Sequence, residues 1–324
     1  MNLLIDQYGR RLDYLRISLT DRCNFRCTYC MPPEGLPSHP SKEILELREI
    51  ELLARLFVEL GIKKIRLTGG EPLLREKIVA LVSSLSKISG LQELALTTNG
   101  SKLSPLALYL KEAGLSSINI SIDSLNPTRF EKITRQGKLR EVLGGIQTAL
   151  SCGLPVKLNV VALSDLTCEE VGEFCSLAKR LPIEIRFIEF MPLCGSGFDK
   201  NKGLSIPLLH EWIEEKLSLL PLERGSNPSQ TYAIQGSPGR IGIIASLSEP
   251  FCSDCSRLRL TATGMIRPCL FSSQETDLRT PLRQGQTDEE LKQIILKAAW
   301  NKPKGHEEFL ETGKPLPMIR SIGG

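Results

Sequence analysis

The sequence predicts an α/β fold built on a parallel sheet, either a β/α barrel or an open version of one. Along about the first 200 residues, short runs rich in β-branched residues alternate with segments of helical periodicity. Six such runs occur, and each is followed by a crossover segment, which is the element order of a parallel barrel. The predicted strands are residues 13–20, 63–68, 91–98, 117–123, 155–162 and 183–190.

Helical segments fill the intervals between these strands. The first runs through L-E-L-R-E-I-E-L-L-A-R-L-F-V-E-L and stops at Gly61, because glycine is a common residue just past a helix end. The other predicted helices are residues 76–87, 104–113, 139–152 and 167–180.

Residues after about 205 have a different pattern, so two domains are predicted, 1–204 and 205–324. A helix is expected from roughly Pro207, and another over residues 287–299. Short strands are expected at 231–234, 241–244 and 258–263, with turn residues between them. The last segment is P-L-P-M-I-R-S-I-G-G, and a disordered tail is one interpretation of it.

Four predicted strands carry polar side chains on one face. Period-2 geometry groups these side chains opposite isoleucine, leucine and valine. Because helices would cover the outside, the polar face is the barrel interior, where unpaired polar groups are costly unless a ligand or water is present. Exposure to water at a sheet edge could explain the polar residues of one such strand, but it is a strained explanation for four. An anionic substrate inside the barrel is therefore predicted. The polar sets are Arg16, Ser18 and Thr20; Lys64, Arg66 and Thr68; Asn119, Ser121 and Asp123; and Lys157 and Asn159.

Six of the ten cysteines form two groups with the spacing of iron–sulfur ligands. The first triad is Cys23, Cys27 and Cys30, and the second triad is Cys252, Cys255 and Cys269. A cubane of four irons takes four ligands, so each triad leaves one corner for a ligand that is not protein. Zinc ribbons and redox dithiols share the C-x-x-C spacing, but zinc would need a fourth Cys or His at each site, and the chain has three histidines. The other four cysteines are interpreted as reduced thiols: Cys152, Cys168, Cys175 and Cys194.

Bulk properties are those of a soluble enzyme. Apolar residues make up 41% and charged residues 24% of the chain, and no apolar run approaches the roughly 18 residues of a membrane span. The net charge of +4 and the aromatic content of 5% give little support for nucleic-acid binding. The first ten residues lack the apolar core of a signal peptide, so a cytoplasmic location without disulfides, membrane or nucleic-acid partners is expected.

The loops that follow the strands carry further chemistry. The first strand runs directly into the first triad, which places that triad at the carboxyl end of the barrel, where active sites of this architecture gather. T-G-G-E-P-L follows the second strand, with two glycines for close backbone approach and the carboxylate of Glu71. T-T-N-G follows the third strand, and S-I-D-S ends the fourth.

These motifs resemble a known superfamily. C-x-x-x-C-x-x-C with an aromatic residue before its last cysteine, followed by G-G-E-P, resembles the radical S-adenosylmethionine (SAM) enzymes. The second triad with R-L-R-L between its cysteines, and the terminal Gly-Gly, are similar to the family of GTP 3′,8-cyclases of molybdenum cofactor biosynthesis, over essentially the full length. The resemblance implies a partial (β/α)6 TIM-like barrel of the radical SAM type, with a smaller C-terminal α+β region that carries a second cluster.

The resemblance also implies cofactors and site residues. The first triad would hold a 4Fe–4S cluster whose open iron binds SAM, and the second triad a 4Fe–4S cluster whose open iron binds the guanine of GTP. The implied SAM contacts are Tyr29, Gly70, Glu71, Ser121, Arg186 and Met191. The implied GTP contacts are Arg16, Arg66, Thr97, Lys157, Arg257 and Arg259. The implied catalytic residues are Arg16, Lys157, Gly323 and Gly324, the last two in a tail that reaches into the active site.

The reaction implied by the resemblance is a radical cyclisation. A 5′-deoxyadenosyl radical would abstract hydrogen from C3′ of GTP, and the C3′ radical would attack guanine C8 to give (8S)-3′,8-cyclo-7,8-dihydroguanosine 5′-triphosphate. The implied partners are an electron donor, the next enzyme of the pterin pathway and a second copy of the chain in a homodimer.

Two alternatives stay open at this point. One is a radical SAM enzyme with an auxiliary cluster that modifies a peptide, and the other is a zinc-stabilised binding module. Three cysteines with arginines between them in the C-terminal third favour a phosphate-bearing substrate over a peptide.

Overall fold

The computed structural model of the chain describes residues 3–191, 193 and 200–310. The strands are β1 Tyr14–Ser18, β2 Lys64–Thr68, β3 Glu93–Thr98, β4 Ser117–Ser121, β5 Val156–Ala162, β6 Glu184–Glu189, β7 Leu219–Pro221, β8 Gln230–Ile234, β9 Arg240–Ile244, β10 Arg257–Leu260, β11 Met265–Arg267 and β12 Thr276–Asp277. The α-helices are α1 Leu47–Glu59, α2 Ile78–Ser86, α3 Ala107–Glu112, α4 Pro127–Thr134, α5 Leu139–Ser151, α6 Cys168–Arg180, α7 Ile206–Glu214, α8 Arg279–Arg283, α9 Asp288–Trp300 and α10 Glu307–Leu310.

The twelve strands form one sheet, in the order β12-β11-β10-β1-β2-β3-β4-β5-β6-β9-β8-β7. Every pairing from β10 through β1–β6 to β9 is parallel. Antiparallel strands continue the sheet at each end. The predicted α/β class with a parallel strand-and-helix array is therefore confirmed, as an open sheet within the described residues.

Each of the six predicted N-terminal strands is present, with ends that differ by no more than two residues. The first helix shows why these local predictions succeed. It begins with a capping box between Glu46 and Glu49, and it ends next to Gly61, whose φ of +104° suits glycine. Its inner face buries Ile50, Leu53 and Phe57 completely in the core.

The helix α4 was not predicted from the sequence. It has eight residues and starts at Pro127, and the Asn126 side chain accepts hydrogen bonds from the amides of Thr128 and Arg129. Proline at the first position and asparagine at the cap are regular start signals, but eight residues show little more than two turns of periodicity. The strands β7, β11 and β12 were also missed, because two or three residues carry no readable alternation.

The C-terminal region contributes strands to both ends of the N-terminal array. The strand β9 pairs with β6, and β10 pairs with β1, both in parallel. The domain boundary after residue 204 stays a prediction, since strands on its far side continue the same sheet. Within the part of the chain that is described, no helix is long and apolar enough to cross a membrane.

Candidate active site

One cavity lies along the inner face of the sheet, and its wall confirms the polar face expected from strand parity. On β5, Lys157 and Asn159 line the cavity, while Leu158 and Val160 point away into the core. The same alternation places polar side chains of β1, β2 and β4 in the wall. The cationic residues that line the cavity are Arg16, Lys64, Arg66, Lys157, Arg186, Arg257, Arg259 and Lys302.

The arginines at the β10–β1–β2 junction are close enough to repel one another. Strand register aligns Arg16 with Arg259 on one side and Arg66 on the other. Burial, together with the charges of Arg16 and Arg257, lowers the pKa of Arg259 well below its usual value. Burial and the same kind of repulsion lower the pKa of Arg16 to about 10. Arginine stays protonated in proteins, so the repulsion favours binding of a multiply charged anion.

Carboxylates balance only part of this charge. The Glu184 carboxylate accepts a hydrogen bond from Lys157 at 2.8 Å and pairs with Arg186. The Lys64 ammonium pairs with Glu93 at 2.6 Å. These pairs hold the cationic side chains of β2, β5 and β6 in place.

The first triad lies in the loop after β1, packed against the glycines of G-G-E-P. The amide of Gly70 donates to the carbonyl oxygen of Thr20 at 2.7 Å. A Cβ atom at Gly70 would lie 2.3 Å from the carbonyl oxygen of Arg22, one residue before the first cysteine. The glycine is therefore required by direct backbone contact between the two loops.

The thiols of the first triad are half-buried and lie close together. Burial raises the pKa of Cys27, and the neighbouring charges of Asp123, Cys30 and Cys23 raise it further. The hydroxyl of Tyr29 donates to Asp123 at 2.6 Å, which fixes the ring on the cavity wall between the first triad and β4. Thiols that ionise with difficulty in this site are suited to binding a cation that stabilises the thiolate.

Glu71 is fully buried and ties two loops together. Its Oε1 accepts from Thr98 Oγ1 at 2.7 Å and from the Leu73 amide at 3.0 Å, and its Oε2 accepts from the Asn99 amide at 2.7 Å. Burial raises the pKa of Glu71 to about 7, against the lowering effect of these hydrogen bonds. The Asn99 side chain in turn contacts Cys23 Sγ at 4.0 Å, so Glu71 positions a neighbour of the first triad.

Replacing Glu71 with glutamine is expected to destabilise the protein at pH 8, although the two side chains have nearly the same shape. Each carboxylate oxygen accepts from a backbone amide, so the glutamine NH2 group faces an N–H group in either orientation. The loss is about 1–3 kcal/mol of unfolding free energy. Urea denaturation of the metal-free protein measures it, with Glu76→Gln on the exposed side of the same loop as control. Equal stability of the two variants would contradict the prediction.

The second triad is enclosed by segments from both ends of the chain. Burial alone would raise the pKa of Cys255, but the charges of Arg257 and Lys302 outweigh it and lower that pKa to about 6. The Lys302 ammonium is 2% exposed and donates to the carbonyl oxygens of Arg257 and Pro268, at 2.8 and 2.5 Å. A cationic setting of this kind stabilises thiolates.

Two more contacts fix Cys252. The guanidinium of Arg10 donates to its carbonyl oxygen at 2.6 Å. Nδ1 of His306 lies 3.4 Å from its sulfur, and the His306 ring packs on Phe271 with 5.1 Å between ring centroids.

Both triads fit an iron–sulfur cluster. In each triad the thiols are near enough to raise one another's pKa, and the donor set is three sulfurs. In the described residues, no three His, Cys, Asp or Glu side chains converge on the position of a single metal ion. The nine described cysteines form no disulfide.

The structure brings most of the predicted site residues into one cavity. Tyr29, beside the last cysteine of the first triad, and the whole second triad line the same space. The predicted residues in the cavity wall are Arg16, Tyr29, Arg66, Thr97, Ser121, Lys157, Arg186, Met191, Cys252, Cys255, Arg257, Arg259 and Cys269. Gly70 and Glu71 lie behind the first triad, in the loop that supports it. Gly323, Gly324 and Cys194 lie outside the described residues.

Two residues of the site, Tyr14 and Lys302, were missed by sequence reasoning. Tyr14 shares the inward parity of Arg16, so alternation was a signal for it. Lys302 lies in N-K-P-K-G-H, where nothing distinguishes it from the exposed Lys304.

Comparison with known proteins defines the class first. The Radical SAM superfamily matches residues 17–178, which run from the end of β1 into α6 and include the first triad. A second family, Molybdenum Cofactor Synthesis C, matches residues 183–308, which hold the second triad. The structure of Streptococcus suis SuiB bound to precursor peptide SuiA has a TM-score of 0.60 at 15% identity, over 98% of this chain and 69% of that one. The superfamily match confirms the radical SAM type of fold, and the likeness to SuiB shows a similar overall fold at low sequence identity.

Relatives with names define the family. The GTP 3′,8-cyclase of Desulforamulus reducens is 46% identical over 99% of this chain and 100% of its own length. The GTP 3′,8-cyclase of Peptoclostridium acidaminophilum is also 46% identical, over 100% of this chain and 99% of its own. Molybdenum cofactor biosynthesis protein 1 of Bos taurus is 44% identical over 98% of this chain and 51% of its own length. The chain belongs to the GTP 3′,8-cyclase family of radical SAM enzymes.

Proposed function

We propose that the protein is a GTP 3′,8-cyclase, a lyase that converts GTP to (8S)-3′,8-cyclo-7,8-dihydroguanosine 5′-triphosphate in molybdenum cofactor biosynthesis. One observation carries the proposal beyond family membership. The second triad and the arginines of β10 share a cavity with Tyr29 of the first triad's loop, so a nucleotide held by the former faces the latter.

Two 4Fe–4S clusters and SAM are the cofactors of this chemistry. Cys23, Cys27 and Cys30 would hold the first cluster, and Cys252, Cys255 and Cys269 the second. When bound, the first cluster and SAM supply the radical that starts the reaction at C3′ of the ribose. The residues proposed to hold SAM are Tyr29, Gly70, Ser121, Arg186 and Met191. Glu71 is fully buried, with hydrogen bonds to both of its oxygens, so it is proposed to support their loop instead.

The chain's own residues bind and orient the nucleotide. Arginine pairs bidentately with phosphate oxygens, so Arg16, Arg66, Arg257 and Arg259 suit a triphosphate. Lys157 lines the same cavity. Thr97 Oγ1 lies 3.4 Å from Nη1 of Arg66 and steadies that guanidinium. The second triad takes the guanine end.

The basic cavity also separates this function from its alternatives. A peptide-modifying enzyme has no evident use for converging arginines around an auxiliary cluster. A zinc-stabilised binding module is excluded by membership of a radical SAM family whose relatives are named as enzymes.

Anaerobic reconstitution tests the proposal. Protein with both clusters is incubated with GTP, SAM and dithionite, and the products are separated by liquid chromatography and identified by mass spectrometry. We expect 5′-deoxyadenosine and a cyclised nucleotide of unchanged mass in equal amounts. Full iron content without either product would overturn the proposed function. Formation of 5′-deoxyadenosine at the same rate with and without GTP would overturn the assignment of GTP as the substrate.

Further features are proposed from family resemblance alone. These are a cytoplasmic homodimer, an electron donor for the first cluster, transfer of the product to the next enzyme of the pterin pathway, participation of Gly323 and Gly324, and two domains that meet near residue 204. Sedimentation velocity of the reconstituted protein tests the dimer, and a purely monomeric boundary at micromolar concentration would contradict it.

Replacing Lys302 with methionine is expected to remove the second cluster while the first remains. The buried ammonium joins the β10 segment to the residue before Cys269, and methionine leaves two carbonyl oxygens without their donor. Hydrogen bonds to a charged donor contribute about 1.5–3 kcal/mol each. Iron content and electron paramagnetic resonance after reconstitution measure the loss, with the exposed Lys304→Met as control. An unchanged electron paramagnetic resonance signal of the second cluster in Lys302→Met would contradict the expectation.

A further inference from the structure

Tyr14 places a phenol oxygen between two of the arginines proposed to bind GTP. The hydroxyl accepts a hydrogen bond from Nε of Arg66 at 2.5 Å, and it is also hydrogen bonded to the Arg16 side chain. The Lys64 ammonium lies over the ring, 5.2 Å from its centroid. All four side chains line the cavity. The oxygen thus occupies the fork that a phosphate oxygen would use on the same guanidinium groups.

The surroundings of this hydroxyl are cationic on each neighbouring strand. On β1 it faces Arg16, on β2 it faces Lys64 and Arg66, and on β10 it interacts with Arg257 and Arg259. The acidic neighbour on β3 is Glu93, and its carboxylate is already paired with Lys64 at 2.6 Å. Of the charged groups described around the phenol, the cations therefore dominate.

These charges change the acidity of the phenol. Burial opposes ionisation, but the charges of Arg66, Arg16 and Lys64 outweigh it and lower the pKa of Tyr14 to about 7. A phenolate in this position relieves the repulsion among the arginines when no nucleotide is bound.

We propose that the Tyr14 hydroxyl is the resident counter-anion of the triphosphate subsite, and that GTP displaces it from Arg16 and Arg66 with uptake of one proton by the phenolate. The inference rests on the proposed function and deepens it. The triphosphate brings more negative charge than the phenolate that it replaces, so the phenolate becomes the less stable anion and is protonated. The neutral phenol then remains as a donor to the phosphate oxygens.

Proton linkage gives the expected change in the Kd for GTP with pH. If GTP binds only to the protonated form, the apparent Kd of the wild type rises by about tenfold between pH 6 and pH 8, relative to a variant without the hydroxyl. Ionisation of GTP itself affects both proteins equally and cancels in the ratio. At pH 8 most of the free enzyme carries phenolate, so binding takes up about 0.9 proton per GTP.

Calorimetry of GTP binding to the holoenzyme tests the inference. Titrations at pH 8 in two buffers with different ionisation enthalpies give the proton count directly, and Kd is measured at pH 6, 7 and 8. We compare wild type with Tyr14→Phe, which keeps the ring under Lys64, and with Tyr109→Phe, an exposed tyrosine on α3. We expect proton uptake in wild type and Tyr109→Phe, none in Tyr14→Phe, and tighter binding of GTP by Tyr14→Phe at pH 8.

The outcomes distinguish failure of the Tyr14 inference from failure of the proposed function. GTP binding without proton uptake by the wild type overturns the role of Tyr14 and leaves the proposed function standing, whether or not the variant folds. Equal pH dependence of Kd in wild type and Tyr14→Phe does the same. Absence of GTP binding by wild-type protein with both clusters intact overturns the proposed function instead.

Discussion

The Gly70→Ala variant is expected to lose the first cluster and with it all formation of 5′-deoxyadenosine. An alanine Cβ at this position would lie 2.3 Å from the carbonyl oxygen of Arg22, 2.6 Å from its carbonyl carbon and 2.9 Å from the carbonyl oxygen of Asp21. All three atoms belong to the backbone, so no side-chain rotation relieves the contact. The loop that holds Cys23 must therefore move by about 1 Å, a displacement that can cost 10²-fold in rate at an active site.

The matched control is Gly144→Ala. Gly144 lies in the helix α5, has no positive φ, and has open space where the Cβ would be. Replacement of a helical glycine by alanine stabilises by about 0.5–1 kcal/mol, so this variant should be at least as stable as the wild type. Iron content, electron paramagnetic resonance of each cluster and single-turnover cleavage of SAM are measured for both. A first cluster of normal yield in Gly70→Ala would show that the loop contact is dispensable.

The second large effect is expected for Arg259→Met, which should weaken GTP binding and strengthen the fold. Arg259 is 6% exposed, and its charge is opposed by burial and by the charges of Arg16 and Arg257. Methionine fills similar space without that charge, so relief of the burial and repulsion that oppose the charge stabilises the nucleotide-free protein by about 1–3 kcal/mol. Loss of a bidentate contact to phosphate raises the Kd for GTP by about 10–150-fold.

Opposite signs in the two measurements separate a ligand-binding role from a structural one. Thermal unfolding of the metal-free protein gives the stability, and calorimetry of the reconstituted protein gives Kd. Arg240→Met, at an exposed position on β9, is the control and should change neither by much. Loss of stability together with loss of affinity would mean that Arg259 supports the fold, and unchanged affinity would remove it from the phosphate subsite.

Local patterns predicted the site best where chemistry and secondary structure coincide. The alternation in β5 identified Lys157, and the glycines after β2 indicated close backbone approach before any contact was known. Both predictions depend only on residues that are close together in the sequence. The spacing of the first triad predicted three thiolates in one loop for the same reason.

Contacts between distant segments could not be predicted. Nothing in the sequence of β10 says that it pairs with β1, so the alignment of Arg259 with Arg16 emerges only from the sheet. Lys302 acts through backbone carbonyls of residues 34 and 45 positions away, and the same carbonyls exist in any sequence. Tyr14 has strand parity but becomes chemically distinct only when Arg66 and Arg16 surround it.

The connection between Arg10 and Cys252 has a consequence for biosynthesis. These residues are 242 positions apart, and β10 takes its place beside β1 only after strands β2 to β9 have been made. The loop of Cys23 therefore leaves the ribosome well before the β10 side of the nucleotide pocket. Pairing over such a distance is slow. A nascent or truncated chain that stops before β10 therefore lacks Arg257, Arg259 and the second triad, which form one side of that pocket.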